Sequence, residues 1–556
     1  MTKSLKMTSH RLPWIAKLFL IVFVFYSLPP VSQATQPAAT ESVYDENAAV
    51  SAKNTSAVAK DRTTADQVRA IVPQLENYVI THMQKWGTPG VAIGIIADDD
   101  LVYARGFGVL EKDSTQAVDE NTVFQIGSTT KAFLGVTQAL LVADGKLDWH
   151  NRVIDYYPNF RLADPWVTRE FQIIDLLAQR SGLPYSTLTN MMLYGYAPEV
   201  IIAALRHIQP ISSFRSKFAY QNAFHLLAAA IVAQQAGHEN WTSYLKSALL
   251  QPLAMDNTTT APAASTSKHA SGHRFDGKET IIDPPTMFLE SAGAAGNIYS
   301  TVHDLSRWLR FHINQGQLDG RQIIAADELA TTYRPLVVLD GPIGEEVALG
   351  PDDQLGYATG WMTHQTPEGR LIEHGGATVG FTSHLGFDPD RRFGFVVLVN
   401  QSMEIGNGLA IPFGKTILDL LQGRQTKDHA QLAYEALSEL QEAQKQHKTP
   451  PKNPLPSRPL SDYEGRYSSP VLGEIIVAQT APEQLGFELG PHNIAVSLTH
   501  WSGDSFNASI PLPGAGEPRF RDQVRLSFMA NDAGDIEKMI WAGDMDSSGQ
   551  PAFTKQ

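Results

Sequence analysis

Ser128 and Lys131 lie three residues apart, at the end of the segment Phe124–Lys131. If a helix begins there, this spacing places the hydroxyl and the amine on one helical face. A neutral lysine can accept the serine proton, and burial lowers the lysine pKa in that direction. The positive end of the helix would also stabilise developing negative charge. The pair therefore predicts a serine nucleophile that is activated by a lysine.

The same Ser-x-x-Lys spacing occurs at Ser243–Lys246 and at Ser265–Lys268. We expect Ser243 to lie inside a helix and not at its start, and Ser265 to lie in a polar loop. Ser128 alone follows a glycine and precedes an apolar helix. Of the three serines, we therefore expect Ser128 to be the reactive one.

Tyr220 and Asn222 form a second motif, which precedes an apolar helical segment. A tyrosine near a lysine can act as a general base, and an adjacent amide can orient a substrate. The alternative is a half-buried tyrosine whose hydroxyl binds a backbone group, which is the commoner situation for a single tyrosine.

His374-Gly375-Gly376-Ala377 forms a third motif, on a predicted strand. Paired glycines in a strand often mark the close approach of a ligand or of another backbone. Taken alone, His374 is interpreted as a structural histidine rather than a functional one.

The three motifs occur in an order that is known from a hydrolase family. Together with Leu176–Pro184 and Gly293–Thr301, they resemble the Ser-x-x-Lys, Ser-Asp-Asn and Lys-Thr-Gly set of serine β-lactamases and penicillin-binding proteins. Residues 65 to 425 resemble the branch that contains class C β-lactamases, S12 D-Ala-D-Ala carboxypeptidases, D-aminopeptidases and related esterases. This motif set is specific for the fold and the nucleophile, but not for the substrate.

The resemblance implies a role for each motif residue. Ser128 is the acylated nucleophile and Lys131 is its base. Tyr220 is the proton shuttle toward the leaving group, and Asn222 is an amide that orients the substrate. The backbone N–H groups of Ser128 and Ala377 form the oxyanion hole. His374, followed by Gly375 and Gly376, takes the place of the family's strand lysine.

The histidine at position 374 changes the expected substrate. A lysine there supplies a permanent cation for a substrate carboxylate, whereas histidine is mostly neutral near pH 7. This difference favours an S12-type peptidase, an amidase or an esterase. A genuine class C-like β-lactamase or D-Ala-D-Ala carboxypeptidase is the alternative, and a non-catalytic receptor for peptidoglycan or peptides is the third reading. Candidate substrates are D-amino-acid peptides, β-lactams and esters.

Composition excludes several other classes. The chain has 556 residues, a formal charge of −14 and no cysteine, which excludes disulfides, thiolate metal sites and a cysteine nucleophile. The acidic excess argues against nucleic-acid binding. Neither the Gly-x-Ser-x-Gly of α/β-hydrolases nor the His-Glu-x-x-His of zinc hydrolases is present. We expect a small-molecule or peptide substrate and neither a cofactor nor a metal; the sequence leaves the oligomeric state open.

The N-terminus has the pattern of an export signal. Lys3, Lys6, Arg11 and Lys17 precede the apolar run Leu18–Leu28 and the small-residue site that ends at Ala34. This order predicts a signal peptide that is cleaved after Ala34 and a periplasmic or secreted protein. Removing four basic residues changes the charge of the mature chain from −14 to −18. The alternative is a retained membrane anchor, although eleven apolar residues fall short of the roughly 20 that span a bilayer.

Strand patterns lie on both sides of a mainly helical middle region, which predicts an α+β fold. Its antiparallel sheet is flanked by helices and accompanied by a mainly helical lobe. After a segment rich in proline, short strands recur to the C-terminus and predict a small β-barrel-like domain. The expected divisions are a signal peptide (1–34), a flexible leader (35–63), the hydrolase domain (64–425), a helix with a Pro-rich linker (426–460) and the β domain (461–556).

The C-terminal segment also resembles a known accessory module. Asp462–Tyr467, followed by Gly473–Val477, is similar to the lipocalin-like β domain that is often appended to such hydrolases. Asp544–Gly549 faintly resembles a calcium loop, but Lys555 stands where the bidentate acid would be, and we interpret the segment as a surface turn.

Overall fold

The computed structural model describes most of the chain from residue 63 onward. The described residues are 63–260, 268–275, 280–282, 293–341, 344, 347–367, 369–403, 408–424, 427–448, 451–511, 523–542 and 552–556. The predicted signal peptide, nearly all of the predicted leader, Ser265 and the turn Asp544–Gly549 lie outside these residues. Within them, no helix is both long and apolar enough to cross a membrane.

Helices occur mainly before residue 260 and around the C-terminal end of the hydrolase region. They are α1 (Ala65–Trp86), α2 (Thr130–Ala143), α3 (Val153–Tyr156), α4 (Pro165–Glu170), α5 (Thr189–Leu193), α6 (Pro198–Ala204), α7 (Ala223–Ala236), α8 (Trp241–Leu245), α9 (Val302–Ile313), α10 (Ala326–Thr331), α11 (Ala410–Leu421) and α12 (His429–Lys448).

Strands occupy the start and end of the hydrolase region and then most of the C-terminal region. They are β1 (Gly90–Ala97), β2 (Asp100–Gly108), β3 (Phe124–Gln125), β4 (His273–Phe275), β5 (Thr280–Ile282), β6 (Tyr299–Ser300), β7 (Gln317–Leu318), β8 (Arg321–Gln322), β9 (Val337–Val338), β10 (Gln354–Tyr357), β11 (Met362–Thr366), β12 (Gly369–Thr378), β13 (Phe381–Asp388), β14 (Phe393–Val399), β15 (Gln401–Met403), β16 (Gly465–Ser469), β17 (Gly473–Ala481), β18 (Gln484–Leu489), β19 (Ile494–Ser502), β20 (Ser505–Ser509), β21 (Gln523–Ala530), β22 (Ile536–Ala542) and β23 (Ala552–Lys555).

The central sheet joins the two ends of the hydrolase region. Its order is β2-β1-β14-β13-β12-β11-β10-β9, and β1 pairs antiparallel with β14, with Val91 opposite Val399. Strands β1, β13 and β14 are buried along their whole length, as expected for a sheet that is covered on both faces. The predicted meeting of the N-terminal and C-terminal strands is confirmed.

Side-chain alternation along β1 divides the core into two layers. Val91, Ile93 and Ile95 pack with α1 and α11, whereas Ala92 and Ile96 belong to the core that contains α2 and α9. Period-two alternation sends successive side chains to opposite faces of the sheet. The sheet is therefore covered by α1 and α11 on one face and by α2 and α9 on the other.

The C-terminal strands form a closed barrel in the order β16 to β23. Its interior contains large aromatic side chains, among them Tyr463, Tyr467 and Trp541, all without exposed surface. The α+β hydrolase region and the small C-terminal barrel together confirm the predicted fold class. Helix α12 lies in the segment 426–460, which the sequence assigns to a helix and linker outside the hydrolase domain. It buries Ala430, Ala433 and Leu437 in the core shared with α1 and α11.

Candidate active site

Ser128 lies on a short 3₁₀ turn, Gly127–Thr129, between β3 and α2. The preceding Ile126 donates its backbone N–H to the Ile298 carbonyl at 2.9 Å, which ties the turn to β6. Gly127 has φ of +55°, and a Cβ added to it would lie 2.7 Å from the Ala377 nitrogen. Only glycine suits such a position. The turn therefore presents Ser128, 8% exposed, close to β12.

Lys131 is fully buried in the first turn of α2. Its Nζ lies 3.1 Å from the Ser128 Oγ and donates to the Ala295 carbonyl at 2.7 Å. Burial lowers the pKa of Lys131 well below its ordinary value, because the interior disfavours the charged form. The amine is thus positioned and electrostatically tuned to accept the Ser128 proton.

Tyr220 covers the same amine from the loop before α7. Its ring centroid lies 4.8 Å from the Lys131 Nζ, and its buried hydroxyl has no hydrogen-bond partner of ordinary geometry among the described residues. Burial raises the pKa of Tyr220, and the neighbouring Ser128 hydroxyl opposes this shift. The phenol therefore stays protonated near neutral pH and has its O–H group available.

Asn222 is 7% exposed, and its Nδ2 donates to the Thr189 Oγ1 at 3.3 Å. The residue between it and Tyr220 is held by a paired contact with Gln179. The Gln221 N–H donates to the Gln179 Oε1 at 2.7 Å, and the Gln179 Nε2 donates to the Gln221 carbonyl at 3.1 Å. This amide pair fixes the backbone between Tyr220 and Asn222.

Strand β12 approaches the Ser128 turn very closely. A Cβ added to Gly376 would lie 2.0 Å from the Ile126 carbonyl oxygen and 2.4 Å from the Ser383 Oγ. The Ser383 hydroxyl donates to that same carbonyl at 2.7 Å. Gly376 thus lets β12 lie against the turn and brings the Ala377 backbone beside Gly127.

His374 precedes this contact and is 1% exposed. Its Nδ1 lies 2.5 Å from the Gly375 carbonyl and its Nε2 lies 3.3 Å from the Tyr357 hydroxyl. Since a carbonyl only accepts hydrogen bonds, Nδ1 carries the proton and Nε2 accepts from Tyr357. Burial, together with the nearby Lys131, lowers the pKa of His374 to about 4. His374 is therefore a neutral ring.

The structure brings all three sequence motifs together. Ser128, Lys131, Tyr220 and His374 are linked by hydrogen bonds or ring contacts, the last through the Tyr220–His374 ring pair at 6.2 Å. Asn222 follows Tyr220 on the same loop. Among the described residues, no group of three or more histidines and acids is arranged to hold a metal ion.

The Ser243–Lys246 pair differs from the expectation in one respect. Helix α8 begins at Trp241, so Ser243 lies in the first helical turn and not inside the helix. Its hydroxyl donates to the Asn240 Oδ1 at 2.9 Å, and Lys246 is exposed. Asn240 caps the helix by accepting a hydrogen bond from the Ser243 N–H. Both the N–H and the hydroxyl of Ser243 therefore bind the residue that caps its own helix.

Several residues that line the site have no role assigned from the sequence. They are the Ala295 carbonyl, Tyr357, Gln179 and His225. Gln179 and Ala295 lie in the segments Leu176–Pro184 and Gly293–Thr301, which carry the family resemblance.

His225 is fully buried, and neither ring nitrogen has a hydrogen-bond partner of ordinary geometry among the described residues. Burial, with Lys131 and His374 nearby, lowers its pKa, and the Gln221 backbone opposes this shift. His225 could have been noticed in the sequence because it is a single histidine in the apolar helix α7. Ala295, Tyr357 and Gln179 reach the site only through contacts between segments that are distant in the sequence.

Comparisons with known proteins support a common fold. A family model described as beta-lactamase matches residues 75–410, and one described as a domain of unknown function (DUF3471) matches residues 449–555. Protein flp of Staphylococcus aureus (strain N315) is 27% identical over 60% of this chain, and the match spans only 63% of that protein's length. Unguisins hydrolase ungD of Aspergillus violaceofuscus is 25% identical over 79% of this chain and 83% of its own.

Solved structures show the same architecture. The octameric penicillin-binding protein homologue from Pyrococcus abyssi matches with a TM-score of 0.56 and 21% identity, covering 87% of this chain and all of that one. SurE matches with a TM-score of 0.51 and 19% identity, covering 88% and 99%. At these identities, the two structures support the fold alone.

Proposed function

The chain belongs to the beta-lactamase family, and from this premise we propose that it is an exported serine hydrolase that forms an acyl-enzyme on Ser128. The observation that carries the proposal is the 3.1 Å contact between the Ser128 Oγ and the Nζ of a fully buried Lys131. A lysine whose pKa is lowered by burial, placed beside a serine hydroxyl, is the arrangement that nucleophilic catalysis needs.

Acylation follows from this arrangement. The Ser128 Oγ attacks the substrate carbonyl carbon while its proton passes to the Lys131 Nζ. The backbone N–H groups of Ser128 and Ala377 stabilise the oxyanion, a contribution for which the loss of one donor typically costs about 100- to 1,000-fold in rate. When the bond to the leaving group breaks, the Tyr220 hydroxyl donates a proton to the leaving atom and Lys131 reprotonates the phenol.

Deacylation repeats the sequence with water. A water molecule gives a proton to the Tyr220–Lys131 pair and attacks the ester carbonyl of the acyl-enzyme. The Ser128 oxygen then leaves and recovers the proton, which returns the site to its starting state. Asn222, anchored by Thr189, would orient the acyl group. The chemistry suits an amide, a peptide or an ester, and we place the enzyme among S12-type peptidases and esterases.

Two features support hydrolysis over a purely binding role. The nucleophile, the buried base and the unpartnered Tyr220 hydroxyl lie within one group of contacts. In addition, the relative from Aspergillus violaceofuscus is named a hydrolase. A receptor would not require a lysine whose pKa is lowered by complete burial.

The test is covalent labelling of the full chain with a fluorophosphonate, followed by mass spectrometry of the peptides. We expect one adduct, on Ser128, and no adduct in Ser128→Ala. Ser243→Ala is the matched control, because Ser243 has the same spacing to a lysine but an exposed partner; its labelling should equal that of the unchanged protein. An adduct elsewhere, or none at all, would contradict the proposed function.

Export is tested separately by expressing the full chain with a C-terminal tag in a Gram-negative bacterium. We expect the periplasmic or secreted protein to begin at Thr35, as measured by N-terminal sequencing and intact mass. A membrane-bound product that keeps residues 1–34 would instead favour the anchor.

A further inference from the structure

Both ring nitrogens of His374 are already used inside the protein. Nδ1 donates to the Gly375 carbonyl and Nε2 accepts from Tyr357. The ring is 1% exposed and packs against Tyr357 and Tyr220. Its pKa of about 4 agrees with a ring that has no charge and no free donor. A carboxylate brought to this part of β12 would therefore find no cation at position 374.

The other basic residues on the segments that form the site do not replace a cation there. Arg180 and Arg215 both bind the buried Asp175 carboxylate, at 2.9 and 2.6 Å, which holds both guanidinium groups in place and compensates one of their two positive charges. Lys217, three residues before Tyr220, is exposed, and an exposed ammonium contributes little to an ion pair because water and salt screen its charge. Lys131 is the base of the reaction.

Aromatic surfaces surround the same part of the site. The half-buried Tyr185 and Phe218 pack against Tyr220, with ring centroids 6.1 and 6.4 Å away. Phe218 also contacts Tyr357 at 5.3 Å. Aromatic faces of this kind bind apolar and aromatic groups well, whereas a carboxylate would lose its hydration against them without a partner.

Resting on the proposed acyl-enzyme function, we infer that this enzyme takes esters and amides whose leaving group is neutral, and that it discriminates against a leaving group that carries a carboxylate. The position of His374, which the family resemblance assigns to carboxylate recognition, is closed to an anion by the contacts of its own ring. The chemical class of substrate is therefore a neutral, apolar or aromatic ester or amide.

A matched pair of substrates tests the inference on the unchanged protein. Both substrates are esters of phenylacetylglycine. The leaving group is 3-hydroxybenzamide in one and 3-hydroxybenzoate in the other, so the two differ only in that a neutral carboxamide replaces a carboxylate. Each kcat/KM is divided by the rate of alkaline hydrolysis of that ester. We expect this corrected kcat/KM to be about tenfold or more higher for the carboxamide ester, because the carboxylate of the other ester would be desolvated without a partner. A smaller ratio, or the reverse preference, would overturn the inference.

The same experiment separates the two levels of the proposal. Fluorophosphonate labelling of Ser128 in the same preparation reports the proposed function; if Ser128 is not labelled, that function fails and the inference falls with it. If Ser128 is labelled but neither ester is turned over, the inference alone fails. Turnover of both esters without discrimination would overturn the inference alone.

His374→Lys tests the assigned cause. In a folded variant, the preference for the neutral ester should fall at least about fivefold, because an amine with free N–H donors replaces a ring that has none; an unchanged ratio would overturn the role given to His374. Lys217→Gln is the control, and its ratio should equal that of the unchanged protein. If His374→Lys fails to fold, the ester pair still decides whether the unchanged enzyme discriminates against a leaving group that carries a carboxylate.

Discussion

Lys131 is the residue whose protonation should set the pH range of acylation. Burial lowers its pKa well below its ordinary value, and only the neutral amine can accept the Ser128 proton. The acylation rate should therefore rise with pH as Lys131 loses its proton and reach a plateau well below pH 10.5. Stopped-flow measurement with a chromogenic neutral ester between pH 5 and 10 checks this prediction.

Lys131→Arg should remove this pH dependence together with most of the rate. Arginine keeps its proton at all accessible pH values, and general-base catalysis of this kind contributes about 10²- to 10⁴-fold. Lys246→Arg, in the second Ser-x-x-Lys pair, is the matched control and should behave as the unchanged protein. An acylation rate in Lys131→Arg close to that of the control would contradict the assigned role.

At the scale of elements, the Gln179–Gln221 amide pair holds the loop that carries Tyr220 and Asn222. Gln179→Ala should remove both hydrogen bonds and let the Tyr220 hydroxyl move from the reaction centre. We expect kcat to fall by about 100-fold, the size of effect that a shift near 1 Å can cause, with a smaller change in KM. Steady-state kinetics on the neutral ester checks this.

Gln401→Ala provides the comparison for a merely structural glutamine. Gln401 is also buried and bonds the Thr88 hydroxyl and the Trp86 carbonyl, away from the site. The Gln401→Ala variant should have a lower free energy of unfolding but no selective loss of kcat. Equal kinetic effects of the two variants would show that Gln179 acts only through stability.

A group of four buried ionisable residues, the rear cluster, lies on the face of β12 opposite His374. Asp353 binds the His364 Nδ1 at 2.7 Å, and Glu373 binds the Nε2 of His364 and of His384 at 3.2 and 2.7 Å. Burial disfavours charge on His364, but the two carboxylates raise its pKa to about 9. Burial alone would raise the pKa of Glu373, but His384 and His364 hold it well below its usual range.

The rear cluster predicts a loss of stability at alkaline pH. A histidine with an unfolded pKa of about 6.5 and a folded pKa of about 9 contributes about 3 kcal/mol, fully present below pH 6.5 and lost as the pH rises through 9. The free energy of unfolding, measured with urea from pH 6 to 10, should fall above pH 7, and His364→Gln should flatten that slope. His429→Gln, beside Asp419, is the control; parallel curves for all three proteins would contradict the prediction.

The site and the sheet differ in how much of them the sequence determines. Ser128, Lys131 and the glycine before them form a local pattern, and β1, β2, β13 and β14 follow simple alternation or apolar runs. The sequence pattern of residues 357–363 predicts a single strand, but the segment contains the end of β10, a turn and the start of β11. Tyr357 ends β10 and its hydroxyl contacts His374 on β12, a contact between strands that the sequence pattern alone could not reveal.

The remaining parts of the site depend on contacts between distant segments. Ala295 reaches Lys131 across 164 residues, and no side-chain signal marks a carbonyl. The rear cluster joins β11, β12 and β13 only after the sheet has its register, since a shift by one residue would send these side chains to the other face.

At the scale of the whole molecule, the barrel is anchored to the helical lobe beside the active site. The Tyr196 hydroxyl, on the segment that follows α5, donates to the Leu472 carbonyl at 2.7 Å. The residues just before α5 and at its start support the site. The Ser186 N–H donates to the Tyr220 carbonyl at 2.6 Å, and the Thr189 hydroxyl accepts from Asn222. Residues 186–196 therefore connect the barrel to the Tyr220 loop.

Tyr196→Phe tests this connection by removing one buried hydrogen bond while keeping the ring. The unsatisfied Leu472 carbonyl should lower the free energy of unfolding by about 1 to 3 kcal/mol. Amide hydrogen exchange should quicken in residues 186–196 and in the barrel near Leu472, since local opening follows the loss of contacts. Tyr244→Phe, a tyrosine with the same exposed fraction of 8% on α8, should leave both segments unchanged. If exchange quickens in the barrel alone, the segment does not transmit the barrel contact to the site, and the barrel is an independent attachment.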